Sequence, residues 1–199
     1  MRMLLAVAIA AAALGMNNTA LAEGSVEAGQ QKSAVCMACH GPDGNSLNPE
    51  WPNLAGQHAS YIVAQLEAFK SGERQNALMS PMAVGLTEQD MLDLAAFYEA
   101  QAPAALEADP ALVDAGRKLY VGGDQESGVA ACIACHGPTG RGNPMALYPV
   151  ISGQHATYSA STLRAYASGE RANAMMQEIA ARMSDEDIAA VSAYIQGLR

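Results

Sequence analysis

The sequence predicts an all-α protein built from two similar domains in tandem. Segments of the first half recur in the second half in the same order, such as SGERQNALM at residues 71–79 and SGERANAMM at residues 168–176. Apolar residues near the end of each half recur at helical intervals, and no stretch alternates between polar and apolar residues as a half-buried strand would. Two copies of one small helical domain explain these patterns most simply.

The helices are predicted from apolar periodicity and from capping residues. In the first half, Asp90 follows Thr87 at capping-box spacing, which indicates the start of a closing helix. Asp187 follows Ser184 in the same way in the second half. The other predicted helices span residues 26–35, 58–70, 111–120 and 155–168.

Residues 1–22 have the features of a secretory signal peptide. A positive charge at Arg2 precedes an apolar run and the small-residue end Ala20-Leu21-Ala22, so cleavage after Ala22 and export to the periplasm are expected. A membrane anchor is the alternative, but the uninterrupted apolar run is shorter than the ~20 residues needed to span a bilayer.

The remaining chain is predicted to consist of domain 1 at residues 23–102, a linker at residues 103–110 and domain 2 at residues 111–199. Pro103 and the Asp109-Pro110 pair interrupt helical continuation in the linker. Each domain is shorter than about 90 residues, a size at which a protein core alone is marginal. A large apolar cofactor in each domain would supply the missing buried surface.

The charge balance disfavours one class of partner. The chain carries 11 Lys and Arg against 20 Asp and Glu, a formal net charge of −9. Nucleic-acid binding draws most of its affinity from cationic side chains on phosphates, so nucleic acid is not expected as a partner. An acidic protein would instead attract a partner with a basic surface.

The four cysteines occur in two copies of one motif, CMACH at residues 36–40 and CIACH at residues 132–136. In a C-x-x-C-H motif both cysteines form thioethers with the vinyl groups of haem, and the histidine binds the iron. The motif therefore predicts two covalently bound haem c groups. The thioether residues are Cys36, Cys39, Cys132 and Cys135, and the iron ligands are His40 and His136.

Three other interpretations of the motif are a redox-active dithiol, a zinc site and structural disulfides. A thioredoxin-like dithiol requires a βαβ setting, which the sequence lacks. An exported zinc site would compete with cysteine oxidation, and the usual paired-ligand spacing is missing. Two complete motifs within one repeat favour haem over all three.

The sixth iron ligand is predicted from the repeat. Met79 and Met176 occupy equivalent positions, in loop-like segments that precede the closing helices, so each is the expected sulfur ligand of one haem. Packing in the core is the alternative role for these methionines. Met82 and Met175 are the second choice, because neither has a methionine at its equivalent position.

Several other polar residues are duplicated. His58 and His155 would give bis-histidine ligation, but their position favours a role at the start of a helix or beside an iron ligand. Arg74 and Arg171 are expected either to pair with haem propionates or to be solvated. Weaker candidates for propionate contacts are Gln57, Gln154 and Trp51, which lies opposite Tyr148 in the repeat.

With these motifs assembled, the chain resembles the dihaem cytochrome c4 family, and each half resembles a class I cytochrome c domain. The resemblance is carried by VCMACHGPDGNS at residues 35–46, by the two Gly-Gln-His turns and by SAYIQGLR at residues 192–199. It implies ligation by His40 with Met79, and likewise by His136 with Met176. It also implies that the carbonyls of Pro52 and Pro149 orient the two histidines.

The expected function is that of a periplasmic electron carrier with no small-molecule substrate of its own, since both axial positions of each iron are filled. The resemblance implies delivery of electrons to a terminal cytochrome c oxidase. A cytochrome bc1-type complex is the expected donor, and the carrier is expected either free in the periplasm or bound peripherally to the membrane. The alternatives are the dihaem subunit of a larger dehydrogenase, such as a sulfide-oxidising flavocytochrome, and a dihaem peroxidase.

The processing of the chain gives a direct test of these assignments. The exported protein is expected to begin at Glu23 and to carry the mass of two haem groups, one on each cysteine pair. Intact-mass analysis with peptide mapping measures both. A mature protein without added porphyrin on either pair would contradict the haem assignment.

Overall fold

The described part of the protein consists of helices and their connections. The structure is a computed structural model that describes residues 23–199, so the predicted signal peptide lies outside the described residues. Two isolated β-bridges, and no strands, occur within residues 23–199. The all-α prediction is therefore confirmed. The α-helices are α1 (Val26–Lys32), α2 (Met37–His40), α3 (Ala59–Ser71), α4 (Met79–Val84), α5 (Glu88–Glu99), α6 (Val113–Gly122), α7 (Ile133–His136), α8 (Ala156–Ser168), α9 (Ala174–Ala180) and α10 (Asp185–Gly197).

Each half is organised around the crossing of its first and last long helices. Helix α1 packs against α5, and α6 packs against α10. A Cβ atom at Gly29 would collide with the backbone carbonyl of Asp93, and one at Gly116 would collide with that of Ala190. Glycine is therefore required at both crossings for the two backbones to approach this closely.

The closing helices begin at the predicted capping boxes. The Thr87 hydroxyl accepts a hydrogen bond from the Asp90 backbone N–H at 3.1 Å, and the Asp90 carboxylate accepts one from the Thr87 N–H at 2.9 Å. Ser184 and Asp187 repeat the arrangement at 3.1 and 3.0 Å. Each cap of this kind contributes about 1 kcal/mol, which fixes where the closing helices start.

The segments that contain Met79 and Met176 differ from the prediction. The sequence predicts loop-like segments here, but the structure has the short helices α4 and α9. The Asn76 side chain accepts hydrogen bonds from the backbone N–H groups of Leu78 and Met79, both at 2.9 Å. Asn173 accepts from the N–H of Met176 at 3.0 Å. Asparagine caps of this kind satisfy the free N–H groups at a helix start, so these segments can turn into helix.

The segment predicted as a linker lies against both halves. Residues 102–109 form no helix. The Ala104 N–H donates to Asn45 of the first half at 2.7 Å, and Gln196 of the second half donates to the Glu107 carbonyl at 2.6 Å. Within residues 23–199, no helix is long and apolar enough to cross a membrane.

The crossing in the first half carries an ion pair that the second half lacks. Lys32 on α1 binds Asp93 at 2.5 Å and Asp90 at 2.7 Å, and only 4% of the Asp93 side chain is exposed. Leu119 and Ala190 occupy the corresponding positions of the second crossing. The hydrogen bond from Lys32, with those from the Ser25 backbone N–H and Gln89, lowers the pKa of Asp93 to about 2.

This ion pair should make the first half sensitive to acid. A carboxyl whose pKa is lower in the folded than in the unfolded state stabilises the fold above its unfolded pKa, and the contribution disappears as the pH falls through the folded pKa. For Asp93 this window runs from its ordinary pKa of 3.8 down to about 2. The double variant Lys32→Leu with Asp93→Ala has the residues of the second half at both positions. Its free energy of unfolding is expected to fall less over this pH window than that of the unmodified protein.

The measurement is urea unfolding of the haem-loaded protein at a series of pH values. Asp185→Ala is the matched control, because it removes an ion pair with Arg164 in which both side chains are more than half exposed. Such pairs contribute little, so the control should keep the pH dependence of the unmodified protein. An unchanged pH profile in the double variant would show that the pair does not couple folding to protonation.

Candidate functional sites

Each cysteine-histidine motif forms a single helical turn. Cys36 immediately precedes α2, which ends at His40, and Cys132 precedes α7, which ends at His136. Side chains at spacings of three and four residues share one face of a helix. The fold therefore places the two cysteines and the histidine of each motif on one side of the turn. Gly41, with a φ of 78°, ends the first turn sharply.

The tautomer of each histidine is fixed by a backbone carbonyl. Nδ1 of His40 lies 2.9 Å from the carbonyl oxygen of Pro52, and Nδ1 of His136 lies 3.2 Å from that of Pro149. A carbonyl can only accept a hydrogen bond, so the proton is on Nδ1 and the lone pair of Nε2 is available to a metal.

Burial keeps both rings neutral. It lowers the pKa of His40 and of His136, and the proline carbonyls oppose this effect without cancelling it. Neutral imidazole is the form that binds iron. The two side chains therefore fit the role of axial ligand.

The cysteines fit covalent attachment better than the other chemistries. All four side chains are partly accessible, and within residues 23–199 no disulfide joins the two cysteines of either motif. Burial raises the pKa of Cys36, and it raises that of Cys132 to about 11. Dithiol exchange needs a thiolate at neutral pH, which a raised pKa disfavours. For zinc, residues 23–199 contain no group of three or more His, Cys, Asp or Glu side chains that could hold a metal ion. Addition of a thiol to a haem vinyl group is compatible with these surroundings.

The candidate methionines differ in burial. Met79 and Met176 are half-buried, whereas Met82 and Met175 are 45% and 48% exposed. The structure also shows a pair of residues that sequence reasoning missed. Asn76 and Asn173 hold the backbone N–H groups of Met79 and Met176, and their duplication within the repeated segment was the available signal.

The duplicated histidines of the Gly-Gln-His turns connect the two halves. His58 precedes α3 and His155 precedes α8, so both lie at a helix start. Nε2 of His58 lies 2.7 Å from the Arg141 carbonyl, and Nε2 of His155 lies 2.8 Å from the Ser46 carbonyl. Nε2 of each ring is thus engaged with the backbone of the opposite half, which favours the helix-start interpretation over iron ligation.

Two arginines meet at the boundary between the halves. Arg74 donates to the Tyr158 hydroxyl at 3.1 Å, and Arg171 donates to the Tyr61 hydroxyl at 2.7 Å. Both guanidinium groups also donate to Gln65, each at 2.8 Å. Arg171 is only 7% exposed, so the solvated alternative is wrong for it.

The two positive charges act on Tyr158. Burial opposes ionisation of this tyrosine, but the charges of Arg74 and Arg171 together lower its pKa to about 8. Among the described residues, neither guanidinium forms a salt bridge with a carboxylate. The cluster is therefore cationic and would suit the carboxylate of a haem propionate.

The duplicated glutamines bind backbone rather than charged groups. The Gln57 side chain forms two hydrogen bonds with the backbone of Val150, and the Gln154 side chain forms two with that of Asn53. Trp51 is half-buried in the connection between α2 and α3. In the second half, the ring centroid of Tyr148 lies 6.4 Å from that of His136.

Comparison with known proteins identifies the family. The cytochrome c family model matches residues 26–100 and 113–199. Cytochrome c4 of Thiocapsa roseopersicina is 52% identical over 180 residues, which cover 88% of this chain and 93% of that protein. The chain belongs to the cytochrome c4 family. It therefore carries two covalently bound haem c groups and is a dihaem electron-transfer protein.

Two further comparisons bear on fold and function. The crystal structure of reduced cytochrome c4 from Pseudomonas stutzeri superimposes with a TM-score of 0.86 at 43% identity, and covers 88% of this chain and all of that one. The thiosulfate dehydrogenase electron acceptor of Stutzerimonas stutzeri strain A1501 is 38% identical over 80% of this chain and 77% of that protein. That relative is named for the dehydrogenase from which it accepts electrons.

Proposed function

We propose that this cytochrome is an exported electron carrier that delivers electrons from a cytochrome bc1-type donor to a terminal cytochrome c oxidase or a similar respiratory acceptor. The proposal includes cleavage of residues 1–22, a periplasmic location, and two domains at residues 23–102 and 111–199 joined by a linker. When bound, each haem supplies reversible one-electron chemistry between ferric and ferrous iron.

The observation that carries the proposal is the duplicated set of axial ligand candidates. Each half offers a neutral histidine held through Nδ1 and a half-buried methionine held through its backbone N–H. We assign His40 with Met79 to one iron and His136 with Met176 to the other. Thioethers from the two cysteine pairs fix the porphyrins, and the Pro52 and Pro149 carbonyls orient the histidines.

A closed coordination shell argues for a carrier and against an enzyme. A dihaem peroxidase needs one iron that opens a coordination position to peroxide. Here both halves offer the same two kinds of ligand, and methionine favours the ferrous state and raises the reduction potential. Such centres suit the high-potential end of a respiratory chain and need no substrate site of their own.

A second candidate function is that of electron acceptor for a periplasmic dehydrogenase. The similarity to a thiosulfate dehydrogenase electron acceptor over 80% of this chain favours it. A sulfide-oxidising flavocytochrome would use a dihaem subunit in the same way. Both functions use the same haem centres, and they differ in the protein with which this cytochrome exchanges electrons.

The methionine assignment predicts a spectroscopic result. Met79→Ala and Met176→Ala are each expected to remove about half of the ferric methionine-sulfur charge-transfer band and to lower the potential of one haem, because loss of the sulfur destabilises ferrous iron. Optical titration of the purified protein measures both. Met82→Ala and Met175→Ala are the controls and should keep the full band. The assignment is wrong if the controls lose the band and the first two variants retain it.

The choice of acceptor is tested by turnover with defined partners. The reduced cytochrome is expected to be oxidised rapidly by a purified cytochrome c oxidase, at a rate that falls with ionic strength, because the net charge of −9 attracts a basic docking surface. Reduction by a thiosulfate or sulfide dehydrogenase is measured in parallel. Rapid reduction by a dehydrogenase with negligible oxidation by the oxidase would favour the second function.

A further inference from the structure

One peptide group in each half belongs to two hydrogen bonds with different partners. The peptide that joins Pro52 to Asn53 accepts a hydrogen bond from Nδ1 of His40 through its oxygen, at 2.9 Å. Its N–H group, on the other side of the same C–N bond, donates to the side-chain oxygen of Gln154 at 2.8 Å. The proximal histidine of domain 1 is therefore linked through one peptide unit to a side chain of domain 2.

The second half repeats this chain of bonds in the opposite direction. The peptide between Pro149 and Val150 accepts from Nδ1 of His136 at 3.2 Å, and its N–H donates to the side-chain oxygen of Gln57 at 2.9 Å. Each domain thus contributes a glutamine to the peptide that binds the proximal histidine of the other domain. The pairing is reciprocal because the two Gly-Gln-His turns face each other.

Both glutamines are held firmly in place. The Gln154 amide nitrogen donates back to the Asn53 carbonyl at 3.0 Å, and that of Gln57 donates to the Val150 carbonyl at 2.8 Å, so each side chain makes a two-point contact. Gln57 is 8% exposed, and Asn53 and Val150 are 8% and 6% exposed. Water is largely excluded from the bonds between Gln57 and Val150, and the bonds between Gln154 and Asn53 are partly buried. Shielding from water strengthens such bonds and their influence on each other.

A peptide group transmits polarisation from its N–H to its oxygen. Resonance couples the two ends of the amide, so an acceptor on the N–H increases the negative charge on the oxygen. A more negative oxygen binds the histidine Nδ1 proton more strongly and makes the ring a stronger donor toward iron. A stronger donor stabilises ferric iron and lowers the reduction potential.

We propose that Gln154 and Gln57 are positioning residues, each of which lowers the reduction potential of the haem in the opposite domain through the peptide bound to its proximal histidine. Gln154 acts on the haem attached at Cys36 and Cys39, and Gln57 acts on the haem attached at Cys132 and Cys135. The inference rests on the proposed ligation by His40 and His136. The reduction potential of each haem therefore depends on residues of both domains.

The test is a pair of crossed substitutions in the full haem-loaded protein. Gln154→Met removes the acceptor and should raise the potential of the domain 1 haem, increasing its reduced-to-oxidised ratio at a fixed applied potential about threefold. This ratio corresponds to about 30 mV at about 59 mV per tenfold change. Gln57→Met should shift only the domain 2 haem. Redox titration followed by NMR signals assigned to each haem measures the two potentials separately.

A second readout follows the histidine directly. The Nδ1 proton of His40 should exchange faster with solvent in Gln154→Met, while that of His136 stays unchanged. Gln57→Met should give the reverse. A role limited to holding the domains together would move both histidines in both variants.

Ser60→Ala is the matched control, since it removes a hydrogen bond to the opposite half, from Ser60 to the Pro144 carbonyl at 3.1 Å, that is not connected to either peptide. It should leave both potentials unchanged.

If methionine at position 154 opens the interface, as judged by small-angle scattering, Gln154→Asn replaces Gln154→Met as the test variant. Its amide is one methylene too short to reach, and the same selective shift is expected.

The outcomes separate this inference from the proposed function. Equal shifts of both haems in each variant, a shift of the haem in the substituted domain, or no shift would overturn the cross-domain role while both irons still show histidine-methionine spectra. Spectra without histidine ligation in the unmodified protein would instead overturn the assignment of His40 and His136, and with it the proposed function.

Discussion

The structure depends on the close crossing of two helices in each half. Where α1 meets α5, and α6 meets α10, the backbones approach so closely that only glycine fits at Gly29 and Gly116. The crossing fixes the closing helix relative to the segment that leads into the cysteine pair. The haem attachment turn, the proline carbonyl behind its histidine and the methionine helix are then arranged around this frame in both halves.

The two crossings are the same in backbone but different in chemistry. The first contains a lysine-aspartate pair, and the second has leucine and alanine at the equivalent positions. A tyrosine lies near the first cysteine of each motif, but the two tyrosines are on helices that do not correspond in the repeat. Tyr98 is on α5, the last helix of the first half, and Tyr120 is on α6, the first helix of the second half. The two halves therefore share their geometry, while the residues beside the two haem attachment turns differ. Two centres with different environments can hold different potentials.

The boundary between the halves is built from the repeat itself. The Gly-Gln-His turns provide Gln57, His58, Gln154 and His155, and all four bond to backbone carbonyls of the opposite half. Because both turns carry the same residues, the contact is self-complementary in the manner of a two-fold interface. The arginine-tyrosine cluster extends the same symmetry and places positive charge between the halves.

The sequence by itself determined the tandem repeat, the helical class, the capping boxes and the haem attachment residues, because each of these depends on residues close together in the chain. A thioether pair and its histidine lie within one turn, and a cap lies within four residues of its partner. Only the tertiary structure decided that the duplicated glutamines bind backbone of the opposite half, that Asn76 and Asn173 cap the methionine helices, and that Arg171 is buried. Gln154 and Asn53 are 101 positions apart, and no local pattern encodes a contact that exists only once both folded halves are placed side by side.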